Sequence, residues 1–293
     1  MTLMNETTPA KISVVIPTCH RNDLLALCLD CLAPGVQTLP PEQYEVIVTD
    51  DGSRSTAKQL VQEKYPWAAW TAGPRRGPAA NRNHGAALAQ GEWLAFTDDD
   101  CLPQPGWLEA FQAAIKPGTF VYEGKTTCRA GLRSPLEDAP INLTGGWLWS
   151  CNMMVGKVVF AALGGFDENF PHPHMEDTDF RERLKQIGHS FLFVGGATID
   201  HPPRRVAWGP QRGAAQESEI MWYYKCGKSG FAGMRILKRT LGFRLRTIKN
   251  NPPSVDTALA IASLFCELLY LATKVRAWES KYSVIYRNTL TGA

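Results

Sequence analysis

The chain has 293 residues, of which 44% are hydrophobic and 20% are charged. These values exclude a disordered protein and allow one large α/β domain with an appended segment. The net charge of +3 hides an uneven distribution, because residues 1–200 carry a net charge of −7 and residues 201–293 one of +10. An acidic body suits a site for metal ions, and a basic tail suits phosphates, an anionic membrane or nucleic acid.

The first residues, MTLMNETTPAKISVV, lack the basic and long apolar regions of a signal peptide, so we expect a cytoplasmic protein. Eight cysteines without framework spacing favour reduced thiols in a reducing compartment. Cys28 and Cys31 form a CxxC pair inside a leucine-rich helical stretch, and no second pair follows. The pattern therefore favours buried thiols over a zinc site.

The N-terminal part alternates short apolar runs with helical patterns. Strands are predicted at 12–18, 44–51, 67–71 and 92–97, and helices at 24–32, 56–64 and 79–89. Buried strands that alternate with helices predict an α/β fold with a mainly parallel, doubly wound sheet. Ligands bind such sheets beyond the carboxyl ends of the strands. The residues at those ends are Pro17, Thr18, Asp50, Asp51 and Asp98–Asp100.

The pattern weakens between residues 117 and 150, where a segment rich in Gly, Pro and Trp predicts loops and strands. The helical period returns at 176–188, and two short strands follow, FLFVG and ATID. Beyond Pro203 the composition becomes basic and helical. We therefore predict one domain at 11–205 and a basic, helical C-terminal extension at 206–293.

The acidic segment TDDDCLP, at 97–103, directly follows a predicted strand and precedes a helix. Three adjacent carboxylates repel one another, and a divalent cation would remove that repulsion. Oxygen ligands at a strand end suit Mg²⁺ or Mn²⁺, either of which binds a diphosphate in turn. A solvated acidic turn with an aspartate helix cap is the alternative.

Five segments in order resemble the family-2 glycosyltransferases of the GT-A fold, over about residues 11–205. Besides TDDDCLP they are SVVIPTCHR, YEVIVTDDGSRST, RRGPAANRNHGAALAQGEW and GGFDENFPHPHMEDTDFRERLKQIG. The resemblance implies a GT-A, or nucleotide-diphospho-sugar transferase, fold. It also implies an inverting transfer of a sugar from a nucleoside-diphosphate donor, with UDP as the expected nucleotide.

By matching position, the resemblance implies nucleotide-sugar contacts for several residues. Thr18, which follows Pro17, and Asp51 resemble residues that hold the base, and Arg75, or its neighbour Arg76, resembles an arginine on the nucleotide. Arg82 is a further candidate. Asp98 matches the first acid of the family's DxD motif, near the ribose, and Asp100 the acid that binds the metal. An Asx-type turn cap is the alternative for Asp51, and a surface salt bridge is the alternative for Arg82.

A second acidic cluster begins at Glu176. Transfer with inversion is a single displacement, in which the acceptor hydroxyl must lose its proton as it attacks the anomeric carbon. The resemblance implies that Asp177 is this general base and that Glu176 contacts the acceptor. The alternative is that Glu176, Asp177 and Asp179 only favour the positive N-terminus of a helix.

Two residues near the end of the predicted domain also match the family. His201 resembles a histidine that completes the metal shell in several GT-A enzymes, and an imidazole ligand favours Mn²⁺ over Mg²⁺. Arg204 resembles an arginine that neutralises the leaving diphosphate. Trp147 and Trp149 are candidate stacking surfaces for an acceptor sugar, although aromatic residues are more often core.

The basic tail allows two interpretations. Residues 235–249 hold six basic residues and no acidic ones, and the apolar stretch after Pro253 carries Glu267 at its middle. An interfacial anchor on an anionic membrane fits this pattern better than a membrane span. Packing on the catalytic domain or on another subunit is the alternative.

The resemblance thus implies a metal-assisted, cytoplasmic hexosyltransferase with a saccharide or lipid-linked acceptor and no nucleic-acid partner, and the tail leaves peripheral contact with the inner face of the membrane open beside the packing alternative. A nucleotide-sugar binding module without catalysis is the second hypothesis, but such a module has no need of Asp177. The chain has no GxGxxG of a dinucleotide oxidoreductase, and IPTCHR lacks the glycine-rich signature of a nucleotidyltransferase.

Overall fold

The structure is a computed structural model that describes residues 12–287. The predicted N-terminal segment and the ends of both predicted domains, at residues 11 and 293, lie outside this range. The chain forms two compact units. The first takes its described residues from Met1–Arg129, Pro140–Glu168 and Asp177–Pro202, and the second from Ala130–Ala139, Asn169–Glu176 and Pro203–Ala293.

The first half of the sheet in the first unit is parallel, as predicted. Its strands are β1 (Ile12–Thr18), β2 (Tyr44–Asp50), β3 (Ala69–Ala72) and β4 (Trp93–Thr97), in the order β3-β2-β1-β4. The helices between them are α1 (Asn22–Leu32), α2 (Lys58–Lys64) and α3 (Pro78–Leu88). All seven residues of β1 are buried, which explains its continuous apolar run.

Helix α1 covers the sheet with one apolar face, and α3 approaches it closely. In α1 the buried residues Leu25, Cys28, Leu29 and Leu32 recur at helical spacing. Cys28 is therefore a buried thiol, as the sequence favours. In α3, Gly85 allows close approach to β1, because a Cβ at this position would lie 2.5 Å from Val15 Cγ1. Near the start of α3, Asn81 Nδ2 donates to the carbonyl oxygens of Thr18 and Thr49, at 3.4 and 2.9 Å, which places this end of the helix beside the carboxyl ends of β1 and β2.

The second half of the sheet is mixed. Its strands are β5 (Leu102–Pro103), β6 (Val121–Thr127), β8 (Asn152–Gly156) and β9 (Leu192–Asp200), and the order continues from β4 as β8-β6-β9-β5. β8 is antiparallel to β4 and β6, whereas β6 and β9 are parallel. The helices are α4 (Trp107–Ala114), α5 (Lys157–Ala162) and α6 (Glu176–Gln186). The predicted strands FLFVG and ATID form one strand, β9, because the backbone continues through Gly195 and Gly196.

The second unit is mainly helical, in agreement with the predicted C-terminal extension. It contains the short pair β7 (Glu137–Asp138) and β10 (Arg204–Arg205), and the helices α7 (Gly209–Lys225), α8 (Ala232–Lys249) and α9 (Val255–Ile285). Their core includes Ile220, Ile236, Leu271, Val275 and Trp278. Helix α9 is long and apolar enough to cross a membrane by length and composition, and 28% of its most apolar 18-residue window is buried.

Ion pairs lie inside this helical unit. Glu267 of α9 is fully buried, and its Oε2 lies 3.1 Å from Arg212 of α7 and 3.5 Å from Arg244 of α8. Glu219 of α7 is also buried and binds Arg239 of α8. A buried carboxylate must be paired, so Glu267 fixes how the three helices face one another.

Candidate active site

The acid triplet follows β4 at the carboxyl edge of the sheet, and guanidinium groups offset much of its charge. Arg82, buried on α3, donates from Nη2 to Asp98 Oδ1 at 2.5 Å. Arg21, just before α1, pairs with Asp99 and lies 3.0 Å from Asp100 Oδ2. The repulsion expected among the three carboxylates is therefore relieved in part by two arginines.

Asp99, the middle acid, points into the protein. It is fully buried, and its Oδ2 accepts a hydrogen bond from the Thr18 hydroxyl at 2.7 Å. Burial raises the pKa of Asp99 to about 7, although Arg21 and Thr18 act in the opposite direction. Asp99 and Thr18 thus join the end of β1 to the acid loop.

Asp100 faces His201, which follows β9. The Nδ1 atom of His201 lies 2.8 Å from the carbonyl oxygen of Pro202, and its Nε2 atom lies 3.4 Å from Asp100 Oδ1. A carbonyl oxygen can only accept, so we assign the ring proton to Nδ1, and Nε2 of the neutral ring then directs a lone pair at the carboxylate. Two hydrogen-bond acceptor atoms that face each other, here His201 Nε2 and Asp100 Oδ1, require a proton or a cation between them.

This donor set fits a divalent cation. Histidine ligands of metals usually donate their other ring N–H to a backbone carbonyl or a carboxylate, as His201 does to Pro202. The Cys101 sulfur also lies within 4.8 Å of the Asp100 and His201 donor atoms. Soft thiolate ligands favour ions such as Zn²⁺, whereas Mg²⁺ and Mn²⁺ prefer oxygen ligands such as the Asp100 carboxylate. Asp100 and His201 are therefore the better pair for Mn²⁺ or Mg²⁺.

Asp177, in the first turn of α6, lies within the same electrostatic environment. Burial raises its pKa, while the guanidinium groups of Arg82 and Arg181 lower it and the charge of Asp98 raises it further. The Thr178 N–H donates to Asp177 Oδ1 at 2.7 Å. A carboxylate with a raised pKa is a stronger base than an ordinary aspartate.

The neighbouring acid Asp179 has a different role. It is buried and accepts a hydrogen bond from Arg183 Nε at 2.7 Å, in an i,i+4 pair along α6. Arg183 also donates to the carbonyl oxygens of Leu163 and Gly165, at 2.6 and 2.8 Å. Asp179 and Arg183 therefore fasten α6 to the preceding loop, which leaves Asp177 as the better candidate base.

The part of the site that is predicted to bind the nucleobase of the donor is built around Asp51. The Asp51 carboxylate accepts the backbone N–H groups of Arg75 and Gly77, at 2.8 and 3.2 Å, so it holds the loop before α3 as well as the end of β2. Arg75 has a positive φ of 56° and an exposed side chain. Arg76 pairs with Glu168 at 2.8 Å. Pro17 is buried at the end of β1.

The tryptophan segment adds an aromatic surface to the first unit. Trp147 is 51% exposed and stacks on Trp149, with ring centroids 5.2 Å apart and planes at 24°. Arg181 of α6, one turn after Asp177, donates to the carbonyl oxygens of Gly146 and Trp147. Trp147 is therefore tied to the helix that carries the candidate base.

Two predicted residues belong to the second unit. Glu176, the first residue of α6, is buried. Arg204 lies in β10, where it pairs with Asp138 of β7, and its side chain is exposed. Their roles stay predictions.

Sequence reasoning missed three residues that organise this site. They are Arg21, Arg181 and Glu123 of β6, whose carboxylate accepts the backbone N–H of Trp147. Arg21 stands in the segment SVVIPTCHR, close to the end of β1, and a cation beside an acid triplet is a signal that could have identified it. Glu123 is a lone acid in the apolar segment TFVYEGK, and Arg181 lies one helical turn after Asp177. These two signals are visible only once the strand and the helix are assigned.

A mixed sheet with an acid triplet at its carboxyl edge and a further carboxylate at the start of α6 defines a GT-A type transferase fold. The chain matches the family model for glycosyl transferase family 2 over residues 13–127. It is 33% identical over 209 residues to the glycosyltransferase AglE of Haloferax volcanii, an alignment that covers 66% of this chain and 67% of that protein. The chain belongs to glycosyl transferase family 2.

Other similar proteins are longer than the matched region. Validoxylamine A glucosyltransferase of Streptomyces hygroscopicus subsp. limoneus is 30% identical over 224 residues, which cover 60% of this chain and 48% of that protein. Chondroitin synthase of Escherichia coli is 29% identical over 251 residues, with 66% and 35% covered. The chain thus spans about half or less of these two proteins.

A solved structure resembles the fold of the chain. The mannosyltransferase PcManGT of Pyrobaculum calidifontis, in complex with GDP-Man and Mn²⁺, superposes with a TM-score of 0.58 at 18% sequence identity. The match covers 98% of this chain and 90% of that one. At this identity the likeness shows the fold.

Proposed function

We propose that this protein is an inverting glycosyltransferase that moves a hexose from a nucleoside-diphosphate donor, with UDP as the expected nucleotide, to a saccharide or lipid-linked acceptor. The observation that carries the proposal is the common environment of Asp98, Arg82 and Asp177, beside the Asp100 and His201 pair. A site that only bound a nucleotide sugar would not need a half-buried carboxylate with a raised pKa at this position.

The donor would bind along the carboxyl edge of the sheet. The residues proposed for it are Pro17, Thr18, Asp51, Arg75, Arg82, Asp98 and Arg204. Thr18 would act through its hydrogen bond to Asp99, and Asp51 through the loop that carries Arg75. Arg82 would orient Asp98 toward the ribose.

Asp100 and His201 would hold a divalent cation, Mn²⁺ or Mg²⁺. When bound, the cation supplies positive charge to the diphosphate, which lowers the energy of the leaving group. The relative with bound Mn²⁺ and GDP-Man supports this assignment as an example from a similar fold.

The transfer requires a general base for the acceptor hydroxyl, and the hydroxyl must attack the anomeric carbon from the side opposite the diphosphate. The acceptor oxygen forms a bond to the anomeric carbon as the bond from that carbon to the diphosphate oxygen breaks, and its electron pair leaves with the diphosphate. The hydroxyl proton passes to the Asp177 carboxylate. Attack opposite the leaving group inverts the anomeric centre. Glu176 and Trp147 would contact the acceptor.

We further propose that the protein is cytoplasmic and that its second unit contacts an anionic membrane. The exposed residues Met234, Leu241 and Leu245 recur on one side of α8. Exposed basic residues flank them at Lys238, Arg246 and Lys249. On α9, Ile261, Phe265 and Leu269 are more than half exposed and spaced by four. Apolar side chains beside cations complement an anionic lipid surface. In terms of the predicted domains, we assign the transferase activity to residues 11–205 and the membrane contact to the C-terminal extension at 206–293.

The second candidate is a nucleotide-sugar binding module without catalysis. It requires the same donor site but no base. A thermal-shift panel of nucleotide sugars, with and without Mn²⁺, tests the part that both share, because a ligand that binds only the folded state raises its melting temperature. We expect a UDP-sugar to stabilise the protein only with Mn²⁺. Stabilisation that ignores Mn²⁺ would contradict the metal assignment, and release of UDP on incubation with an acceptor separates the enzyme from the binding module.

A further inference from the structure

The loop that carries Trp147 is held by a buried acid. Glu123 of β6 is 1% exposed, and its carboxylate accepts four hydrogen bonds from this one loop. The donors are the Asn142 side chain and the backbone N–H groups of Gly146, Trp147 and Leu148, at 2.8, 2.6, 2.7 and 2.5 Å. A carboxylate that receives this many N–H donors holds the groups that donate to it firmly in place.

The backbone of this loop is strained. Gly145 and Gly146 have φ angles of 86° and 104°, and Leu148, which has a side chain, has one of 51°. A positive φ at a non-glycine residue costs free energy and persists only where surrounding contacts enforce it. Glu123 enforces it from the sheet side, and Arg181 enforces it from α6 through the carbonyl oxygens of Gly146 and Trp147.

The result of these contacts is an exposed indole in a fixed orientation. Trp149, half-buried against the core, covers one face of Trp147 by stacking and leaves Trp147 51% exposed. A side chain that served only the core would be buried rather than exposed on a strained, hydrogen-bonded loop. Arg181, which lies one turn of α6 after Asp177, donates to the carbonyl oxygen of Trp147 and so anchors this loop to the helix that carries the candidate general base.

We propose that Trp147, backed by Trp149, is a platform for the apolar C–H face of a pyranose ring in the acceptor, and that Glu123 and Arg181 are its positioning residues. This rests on the proposed function and deepens it, because it makes the acceptor a saccharide rather than an open-chain polyol. A flat indole matches the C–H face of a closed ring, whereas a flexible polyol presents no such face.

Saturation-transfer NMR tests the platform, with methyl β-glucoside and methyl β-galactoside as ring probes and ribitol as the open-chain probe, all in the presence of UDP and Mn²⁺. We expect ring C–H signals from at least one methyl glycoside and none from ribitol. Trp147→Ala should weaken the glycoside by about 3- to 10-fold, the usual size of one aromatic contact. Trp208→Ala, which removes a 43% exposed tryptophan of the second unit, is the matched control and should change nothing.

Equal glycoside binding by Trp147→Ala and the unmodified protein would overturn the proposal, as would equal signals from ribitol or no glycoside signal at all. Calorimetry of UDP with Mn²⁺ on the same samples separates this failure from failure of the proposed function. If UDP binds and only the glycoside result is negative, the platform alone is wrong.

A test of the positioning residues, Glu123 and Arg181, requires a measurement that a change in stability alone would not alter. Two indole rings 5.2 Å apart couple in circular dichroism, and the difference between the unmodified protein and Trp149→Phe isolates that coupling. We expect Glu123→Gln and Arg181→Met to lose both the coupling and the glycoside signal, and Arg181→Lys to keep part of each. If Glu123→Gln does not fold, Arg181→Met decides. Retention of both signals in a folded Arg181→Met protein would refute the positioning role.

Discussion

Both units of the chain pair carboxylates with arginines, but the pairs belong to a candidate ligand site in the first unit and to helix packing in the second. In the first unit the acids stand at strand ends, where Arg21 and Arg82 relieve their repulsion and Asp100 still faces His201. In the second unit Glu219 and Glu267 lie inside a helical core, where their partners are arginines of neighbouring helices. A charged residue at the carboxyl end of a strand therefore indicates a ligand site, whereas one on the buried face of a helix indicates packing.

The largest expected effect is the loss of stability when the buried carboxylate of Glu267 is removed from the second unit. Glu267→Ala leaves Arg212 and Arg244 without the carboxylate between them, so the helical unit should lose about 3–5 kcal/mol of stability. Thermal unfolding followed by circular dichroism measures this loss. Lys281→Ala is the control, because Lys281 is half exposed and its ion pair with Glu217 contributes about 1 kcal/mol or less. Similar losses in the two variants would show that Glu267 has no special packing role.

The next effect concerns the surface of the second unit. Replacement of Lys238, Arg246 and Lys249 by glutamine should weaken binding to vesicles of phosphatidylcholine and phosphatidylglycerol by up to about 10²-fold, because each cation near an anionic surface contributes about 1 kcal/mol. Co-sedimentation at low and high salt measures it. The same exchange at Lys58, Lys64 and Lys116 of the first unit is the control. Unchanged binding in the first triple variant would contradict the proposed role of these cations, and no binding of the unmodified protein to the vesicles would favour packing against another subunit.

A smaller effect tests the metal ligands in the first unit. Asp100→Ala should weaken the binding of UDP in the presence of Mn²⁺ by at least about 10-fold, since loss of even an indirect metal contact costs 10- to 100-fold in affinity. Isothermal calorimetry with and without Mn²⁺ isolates the metal-dependent part. Glu92→Ala removes the same charge at the opposite end of β4 and should leave the affinity unchanged. Equal affinity in Asp100→Ala and the unmodified protein would remove the metal assignment.

The sequence predicted the parallel half of the first unit well because three of its four strands, β1, β2 and β4, are buried on both faces. The apolar runs at β1, β2 and β4 therefore mark the strands directly. The mixed half was harder. β6 and β8 lie in or next to a segment whose glycines and tryptophans give no clear period, and their pairing is set by long-range contacts such as the hydrogen bonds of Asn152.

The candidate site was accessible from the sequence only where a motif and a strand end coincide. Asp98 and Asp100 satisfy both conditions. Arg21, Glu123 and Arg181 do not, since the partners described above lie 19 to 79 residues away in the chain and only the fold brings them together. In the second unit the basic composition of α8 was visible, but the pairing of Arg239 and Arg244 with buried acids depends on how three helices face one another.

A matched pair of variants on α6 tests most directly whether Asp177 accepts the proton of the attacking hydroxyl. Release of UDP from the nucleotide sugar chosen by the thermal-shift panel should fall by about 10²-fold or more in Asp177→Asn, while calorimetry shows unchanged UDP binding with Mn²⁺. Asp179→Asn, which breaks the pair with Arg183, should lower the melting temperature and keep most of the turnover per folded molecule. If Asp177→Asn retains most of its turnover, or if Asp179→Asn loses it at unchanged stability, the assignment of Asp177 as the base is wrong.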